Sequence, residues 1–545
     1  MIKNICGCLL CLLIGAPLFS QVDAIVPFTS SNLPIVVLKT TVPIVDDPKT
    51  TATMGIIDNW PDRNNLSDPY NIYDGFIGIE VRGSSSQMFP KKQYGIELRD
   101  ANGDGAAASL LAMPEEEDWI LFAPYNDKSL MRDALAYRMG RSLGRYAPRT
   151  KFCELVLDDV YMGVYVVIEK IKRDKNRVDI NKLDPDEISG GDVTGGYIFK
   201  IDKTTGGDED GWTSAYKPPH AKDQEIQFLY EYPKTDEIVT EQKAYIKKYV
   251  SDFESTLAGN SFADPVTGYA KFIDVASFVD YFIMQEITKN VDGYRLSTFM
   301  YKQRDADGGK LFMGPVWDFN LGFGNVNYCT GGSPEGFVLD FNSACPEDYW
   351  LIPFWWKRLF QDETFSDRVA ARWVELRGGV FKEQNLHSYI DSVASVLNVE
   401  AQERNFKAWN VLNKYVWPNH YIGATFQSEV SWLKSWMTQR LSWLDQHMPL
   451  LITDAEQFSG GMEHAIAYPN PFSADVVVDY AVQQSGVVNI SIFDSMGRSI
   501  KAVKIDHESA GKYSYVWQCD ATGAIYYFSV KQGSKTIGQG KLLRK

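Results

Sequence analysis

Apolar residues recur with period two in Ile77-Gly-Ile-Glu-Val-Arg82 and again in Tyr94-Gly-Ile-Glu-Leu98. Such alternation predicts half-buried strands. The small residues Gly83-Ser-Ser-Ser86 supply the turn between them, and Lys91-Lys92 opens the second strand. With the short apolar strand Ile35-Val-Val-Leu38, residues 25–125 read as strands and loops. Phe152–Leu157 and Tyr161–Glu169 predict a hairpin across Asp158-Asp159.

The spacing becomes helical over Asp127–Leu143, where Leu130, Met131, Ala134, Leu135 and Met139 form one stripe. Asp127 is placed to cap this helix and Gly144 to end it. Thr240–Leu257, Asp274–Lys289 and Glu429–His447 carry the same period, with Trp432, Trp436 and Trp443 as expected core residues. Residues 184–223, rich in Gly, Asp and Pro, read as an ordered loop or insertion. After Leu451 the composition changes. Short alternating runs at Val476–Tyr480, Val488–Phe493, Tyr513–Trp517 and Ile525–Val530, with turns at 495–498 and 510–512, predict a small all-β sandwich.

Composition sharpens this picture in three places. A chain of 545 residues with 45% hydrophobic positions can bury cores in more than one unit. Its 70 acidic against 55 basic residues argue against a sequence-independent nucleic-acid partner, which needs a basic surface. At the N-terminus, Lys3 precedes an apolar run from Ile5 to Phe19, with Ser20, Gln21, Asp23 and Ala24 as the cleavage zone. This is the layout of a removable signal peptide over residues 1–20, too short for a comfortable membrane span. Cys6, Cys8 and Cys11 would leave with it. Export permits disulfides, and Cys329 and Cys345 flank one Gly/Ser-rich loop, so they are expected to pair; Cys153 is expected as a buried thiol. Asp100-Ala-Asn-Gly-Asp104 opens like a calcium loop, but Leu111 stands where an EF-hand carries its bidentate Glu. A tight acidic turn is the better reading.

The chemistry concentrates between Asn290 and Asn325. A helix ends near Asn290, and a strand (Thr298–Lys302), a polar turn (Arg304–Gly309) and a second strand (Lys310–Gly314) follow. Such a hairpin brings its two ends together, so Asp292 before it and Asp318 after it are expected to face one site. Paired carboxylates there suit a base with a metal ligand, or two glycosidase acids. Protein kinases use the first arrangement, with a catalytic Asp, a short hairpin and then a metal-binding Asp. Ser297 stands where the kinase catalytic loop carries Asn, and no glycine-rich phosphate loop is evident.

The stretches RGSSSQMFPKKQYGIEL (82–98), MPEEEDWILFAPYNDKSLMRDALAYRMGR (113–141), YAPRTKFCELVLDDVYMGVYVVIEKIKRDKNRVDI (146–180), GGYIFKID (195–202), NVDGYRLSTFMY and PVWDFNLGFGN together resemble the CotH kinase-like family. The resemblance implies an α+β, atypical protein-kinase-like fold over residues 21–455, with its core in about 70–450. It assigns Asp292 as catalytic base and Asp318 as ligand to Mg²⁺. Asn320, where many relatives carry a second Asp, is the further metal candidate, and its identity weakens a second metal site. Arg82 and Lys92 are candidates for ATP phosphate contact, Glu169 for orienting Lys92 as an ion-pair partner, and Trp317 for lining the nucleotide pocket.

Tyr468-Pro-Asn-Pro-Phe472, the strand pair around 490–498, Gly523-Ala-Ile-Tyr-Tyr-Phe528 and the basic end Lys541–Lys545 resemble the type A C-terminal sorting domain of the type IX secretion system of Bacteroidota. It implies that residues 464–545 are a sorting β-sandwich, that the type IX machinery is a partner, and that the protein passes through the periplasm to the outer surface or medium. The combined expectation is a secreted kinase-like protein that phosphorylates Ser/Thr of surface or secreted proteins. A non-catalytic surface binding module and a glycoside hydrolase using Asp292 and Asp318 are the alternatives.

Overall fold

The computed structural model describes residues 22–204, 210–448, 465–482, 484–494, 498–519, 525–533 and 535–544. The expected signal segment with its three cysteines, the boundary at Leu451, the turn residues 495–497, Gly523, Ala524 and Lys545 lie outside them. Two compact units emerge. The first joins the chain up to Tyr125 with Thr150–Lys170 and Val396–Val411, and the second takes Asn126–Arg149, Ile171–Ser395 and the chain from Leu412.

In the first unit the alternating strands curl into a closed barrel. They are β1 (Ile35–Lys39), β2 (Thr50–Ile57), β3 (Tyr73–Arg82), β4 (Gln93–Arg99), β5 (Asp118–Phe122), β6 (Thr150–Leu157) and β7 (Val160–Glu169). The order is β1-β2-β3-β4-β5-β7-β6, and the parallel pairing of Ile35 with Glu154 closes the ring. Closure removes the unpaired edges that an open sheet would expose. Period-two alternation turns Leu38, Ile77, Ile79, Ile96, Leu98 and Leu155 into the interior, where each such side chain contributes about 1.5–3 kcal/mol by leaving water. The expected β6–β7 hairpin forms, with Asp158 and Asp159 at φ 49° and 66°. Cys153 is a buried free thiol. Asp100 Oδ1 accepts the N–H groups of Asn102 (2.8 Å) and Asp104 (3.0 Å), which makes the acidic turn. The helix Ala401–Ala408 packs on β7, where Asn405 Oδ1 accepts the Val164 N–H at 3.1 Å.

The second unit mixes helices with a five-stranded antiparallel sheet. Its main helices are α1 (Arg132–Ser142), α2 (Thr240–Ala258), α3 (Val275–Thr288), α4 (Glu363–Gly378), α5 (Glu383–Asn398) and α6 (Phe426–His447). Nearly every side chain of α3 is buried, as expected of a helix apolar on all faces. Asp274 caps its start by accepting the Ser277 N–H at 2.7 Å, and left-handed Lys289 ends it. The sheet comprises β8 (Tyr197–Ile201), β9 (Gly211–Thr213), β10 (Gln227–Tyr232), β11 (Thr298–Lys302) and β12 (Leu311–Met313), in the order β9-β10-β8-β11-β12. The β11–β12 hairpin is the predicted one.

Three expectations need correction. The first helix begins at Arg132, not Asp127, because Asp127 closes a turn of its own: its carboxylate accepts the N–H groups of Ser129 (3.0 Å) and Arg132 (2.8 Å). Residues 184–223 are not merely loop, since they contain β8, which pairs with the distant β11, and β9, which pairs with β10, the next strand along the chain. Of the three tryptophans on α6, only Trp436 is fully buried; Trp432 is half-buried and stacks on Tyr421, as Trp443 does on His447. Cys329 and Cys345 form the expected disulfide.

The C-terminal strands are β13 (Ala465–Tyr468), β14 (Asp475–Val482), β15 (Gly486–Asp494), β16 (Ser499–His507), β17 (Gly511–Gln518), β18 (Ile525–Gln532) and β19 (Lys535–Leu543). Two antiparallel sheets, β13-β14-β17 and β16-β15-β18-β19, share one core that includes Phe472, Val478, Ile490, Trp517 and Phe528. The fold is thus mixed α and β, followed by an all-β region.

Candidate functional site

The left-handed Lys289 at the end of α3 throws the chain into a tight loop, in which Tyr294 and Ser297 also have positive φ. Asp292 lies in this loop, and Asp318 lies in the segment that leaves β12. One side chain stitches the two together. Asn290 Oδ1 accepts the Asp292 N–H at 3.3 Å, while its Nδ2 donates to the Asp318 carbonyl at 3.0 Å.

The Asp292 carboxylate is paired with Arg295, Nη2 to Oδ1 at 2.9 Å. Arg295 is nearly buried and fully engaged. It also donates to Asp348 Oδ1 (3.0 Å), the Trp350 carbonyl (3.0 Å) and the Val291 carbonyl (2.7 Å), and lies 4.0 Å from the Phe341 ring centre. Ion pairing of this kind fixes geometry as well as charge.

Asp318 adopts φ 61°, a conformation that costs a residue with a side chain about 1–3 kcal/mol. Its N–H donates to the Tyr137 hydroxyl at 3.2 Å, and the next N–H, of Phe319, donates to Asp133 Oδ1 at 2.8 Å. Asp133 is buried, and burial foremost, with the charges of Asp318 and Asp127 adding, pushes its carboxyl up to about 8 against the opposing Phe319 N–H. The Tyr328 hydroxyl is raised above its ordinary value first by burial, then by Asp292, with Asp348 and Asp318 adding and Arg295 opposing. Both predicted carboxylates therefore act on one phenol.

Trp317 stacks on Tyr137 (5.7 Å, 22°) and meets Phe299 edge-on. Asn320 turns Nδ2 toward Asn126 Oδ1 at 3.5 Å, and its carbonyl accepts Asn325 Nδ2 at 2.8 Å. Asn419 continues this amide network to Asn126 and Asn325. Asp292, Trp317, Asp318 and Asn320 thus share one unit.

Arg82, Lys92 and Glu169 belong to the barrel unit. Arg82 pairs with Gln93 at the end of the β3–β4 ladder. Beyond it, Gly83 has φ 104°, and a Cβ there would fall 2.0 Å from Ser86 Oγ, so the turn requires glycine. Lys92 Nζ donates to the Gln87 carbonyl at 2.6 Å, closing this turn in place of the ion pair with Glu169 that the sequence suggested. Glu169 is fully buried at the end of β7, opposite Trp119. Its neighbour in sequence to the candidate lysine, Lys91, is the buried one: Nζ donates to the Val164 carbonyl (2.6 Å) and Asn405 Oδ1 (2.9 Å).

Sequence reasoning missed Asn290, Arg295, Asp133, Tyr137 and Tyr328. Arg295 had a signal, since three residues after Asp292 is within reach of its carboxylate; the others act through loop geometry. Among the described residues, Glu116, Glu117 and Asp118 are acidic neighbours with oxygens within 4.8 Å of one another, a consecutive run on the barrel.

Residues 79–444 match the family model described as CotH kinase protein, and residues 466–542 match the secretion system C-terminal sorting domain. No curated protein matches the chain. Among the described residues, no helix is long and apolar enough to cross a membrane.

Proposed function

Because the chain belongs to the CotH kinase protein family and closes with a secretion sorting domain, we propose that it is an exported atypical protein kinase that uses ATP and Mg²⁺ to phosphorylate Ser/Thr hydroxyls of surface or secreted proteins. The observation that carries this reading is the Asn290 amide, which holds the Asp292 and Asp318 loops to one another. The order of helix, Asp292, hairpin and Asp318 supports a kinase-like arrangement of the second unit.

Asp292 serves as the base. Arg295 fixes its carboxylate, which takes the proton of the acceptor hydroxyl as the hydroxyl oxygen bonds the γ-phosphorus and ADP leaves. Asp318 and the Asn320 side-chain oxygen are hard oxygen donors, the class Mg²⁺ prefers, and Mg²⁺ takes few protein ligands when nucleotide phosphates supply the rest. When bound, the ion neutralises charge on the phosphates during transfer. Trp317, backed by Tyr137, offers a flat apolar wall to the nucleotide. Pairing of Asp292 with Arg295 works against the glycosidase reading, whose acid needs an apolar pocket. The domain limits follow as 21–455 for the kinase-like part and 464–545 for the sorting module, with the segment 1–20 as signal peptide and type IX machinery as export partner.

The test is transfer of labelled γ-phosphate from ATP to proteins shed from the producing cells. Wild type should label acceptor proteins on Ser/Thr, and Asp292→Asn should reduce labelling by at least a hundredfold. Undiminished labelling by Asp292→Asn refutes the base assignment, and no labelling by wild type favours a binding module.

A further inference from the structure

Three backbone polar groups in the two peptide units flanking Asp318 are held by side chains. Asn290 takes the Asp318 carbonyl, Tyr137 the Asp318 N–H, and Asp133 the Phe319 N–H. The last two come from α1, one helical turn apart on the same face. Tyr137 adds ring contact on both sides of Asp318, stacking on Trp317 and meeting Phe319 edge-on at 6.4 Å.

Packing alone does not explain a carboxyl at position 133. It is 3% exposed, and the helix around it buries Ala134, Leu135 and Met139. Among the described residues one of its oxygens, Oδ2, has no hydrogen-bond partner of good geometry, and the neighbouring Tyr137 hydroxyl is the side-chain group that favours its charged form. A buried polar atom left unpaired costs stability that an apolar residue would not. The fold keeps this cost where the carboxyl meets the backbone next to a strained residue.

We infer that Asp133 and Tyr137 are positioning residues, a two-point buckle on α1 that holds Asp318 in its left-handed backbone so that its carboxylate meets a divalent cation. The metal-binding half of this inference rests on the kinase reading, and the backbone half does not.

The test compares wild type, Asp133→Asn, Asp133→Leu and Tyr137→Phe as full chains. Two readouts are taken: amide hydrogen exchange of the segment 315–323, and calorimetric titration of Mg²⁺ in the presence of ATP. Asparagine keeps an acceptor oxygen of the same shape, so Asp133→Asn should retain both exchange protection and Mg²⁺ affinity. Asp133→Leu should exchange the segment at least tenfold faster and bind Mg²⁺ at least tenfold more weakly, while its melting temperature stays level or rises. Tyr137→Phe keeps the ring stack and should speed exchange at Asp318. Unchanged exchange in Asp133→Leu and Tyr137→Phe overturns the buckle, as does a fall in melting temperature of Asp133→Leu without faster local exchange. If Asp133→Leu fails to fold, Tyr137→Phe decides on exchange alone. If wild type binds no Mg²⁺, the kinase reading fails and the exchange readout still judges the buckle.

Discussion

Lys91 offers a quantitative test of the barrel. It is 1% exposed, its ammonium nitrogen reaches the Val164 carbonyl and Asn405 Oδ1, and it lies 4.8 Å from the Tyr165 ring centre. Burial pushes it down to about 7, with Cys153 opposing. Two acceptors match the two N–H bonds of a neutral amine. The unfolded chain holds the proton up to its ordinary value of 10.5, whereas the folded chain releases it near 7. Over that window the unfolded state binds more protons, so stability rises as pH rises. At about 1.4 kcal/mol per pH unit, the whole window is worth on the order of 5 kcal/mol, and the step from pH 7, where the folded lysine is half-deprotonated, to pH 9 about 2 kcal/mol. Lys91→Met removes the titration. Urea unfolding of both proteins at pH 7, 8 and 9, followed by tryptophan fluorescence, isolates it by difference, because the other titrating groups are common to both. Wild type should gain about 2 kcal/mol relative to Lys91→Met between pH 7 and 9. Parallel pH dependences for the two proteins would refute the reasoning.

Two further outcomes follow from the second unit. Arg440 and Glu286 form a fully buried pair, with Arg440 also binding the Pro334 and Gly336 carbonyls and Glu286 accepting the Val338 and Leu339 N–H groups. Arg440→Met strands the carboxylate and should cost about 3–5 kcal/mol in denaturant unfolding; a loss below about 1 kcal/mol would show the pair to be dispensable. The Cys329–Cys345 bridge closes a loop of 16 residues. Its removal by Cys329→Ser should lower stability by about 3 kcal/mol, and a free thiol at Cys329 in non-reduced peptide maps would contradict the bridge itself.

What the chain disclosed in advance was local. Period-two and helical patterns located the Tyr73–Arg82 and Gln93–Arg99 pair, α2, α3, α6 and the β11–β12 hairpin, because each pattern is written in neighbouring residues. Barrel closure was not legible, since it depends on Ile35 meeting Glu154 across the chain. β8 escaped notice for the same reason: its partners, β10 and β11, lie on either side of it in space and far from it in sequence. β16 was hidden by its lysines, which face solvent on an exposed strand. The site followed the same divide. Asp292 and Asp318 were visible from their places around the hairpin, whereas Asn290 and Asp133 act by reaching backbone groups of a distant loop, and nothing in their own neighbourhoods marks them.

Calorimetric titration of the purified full chain with ATP and Mg²⁺ tests the assignment of Asp292 and Asp318 most directly. Saturable binding in wild type, lost in Asp318→Asn and retained in Asp292→Asn, is the expected result. No binding in wild type, or equal loss in both variants, would contradict it.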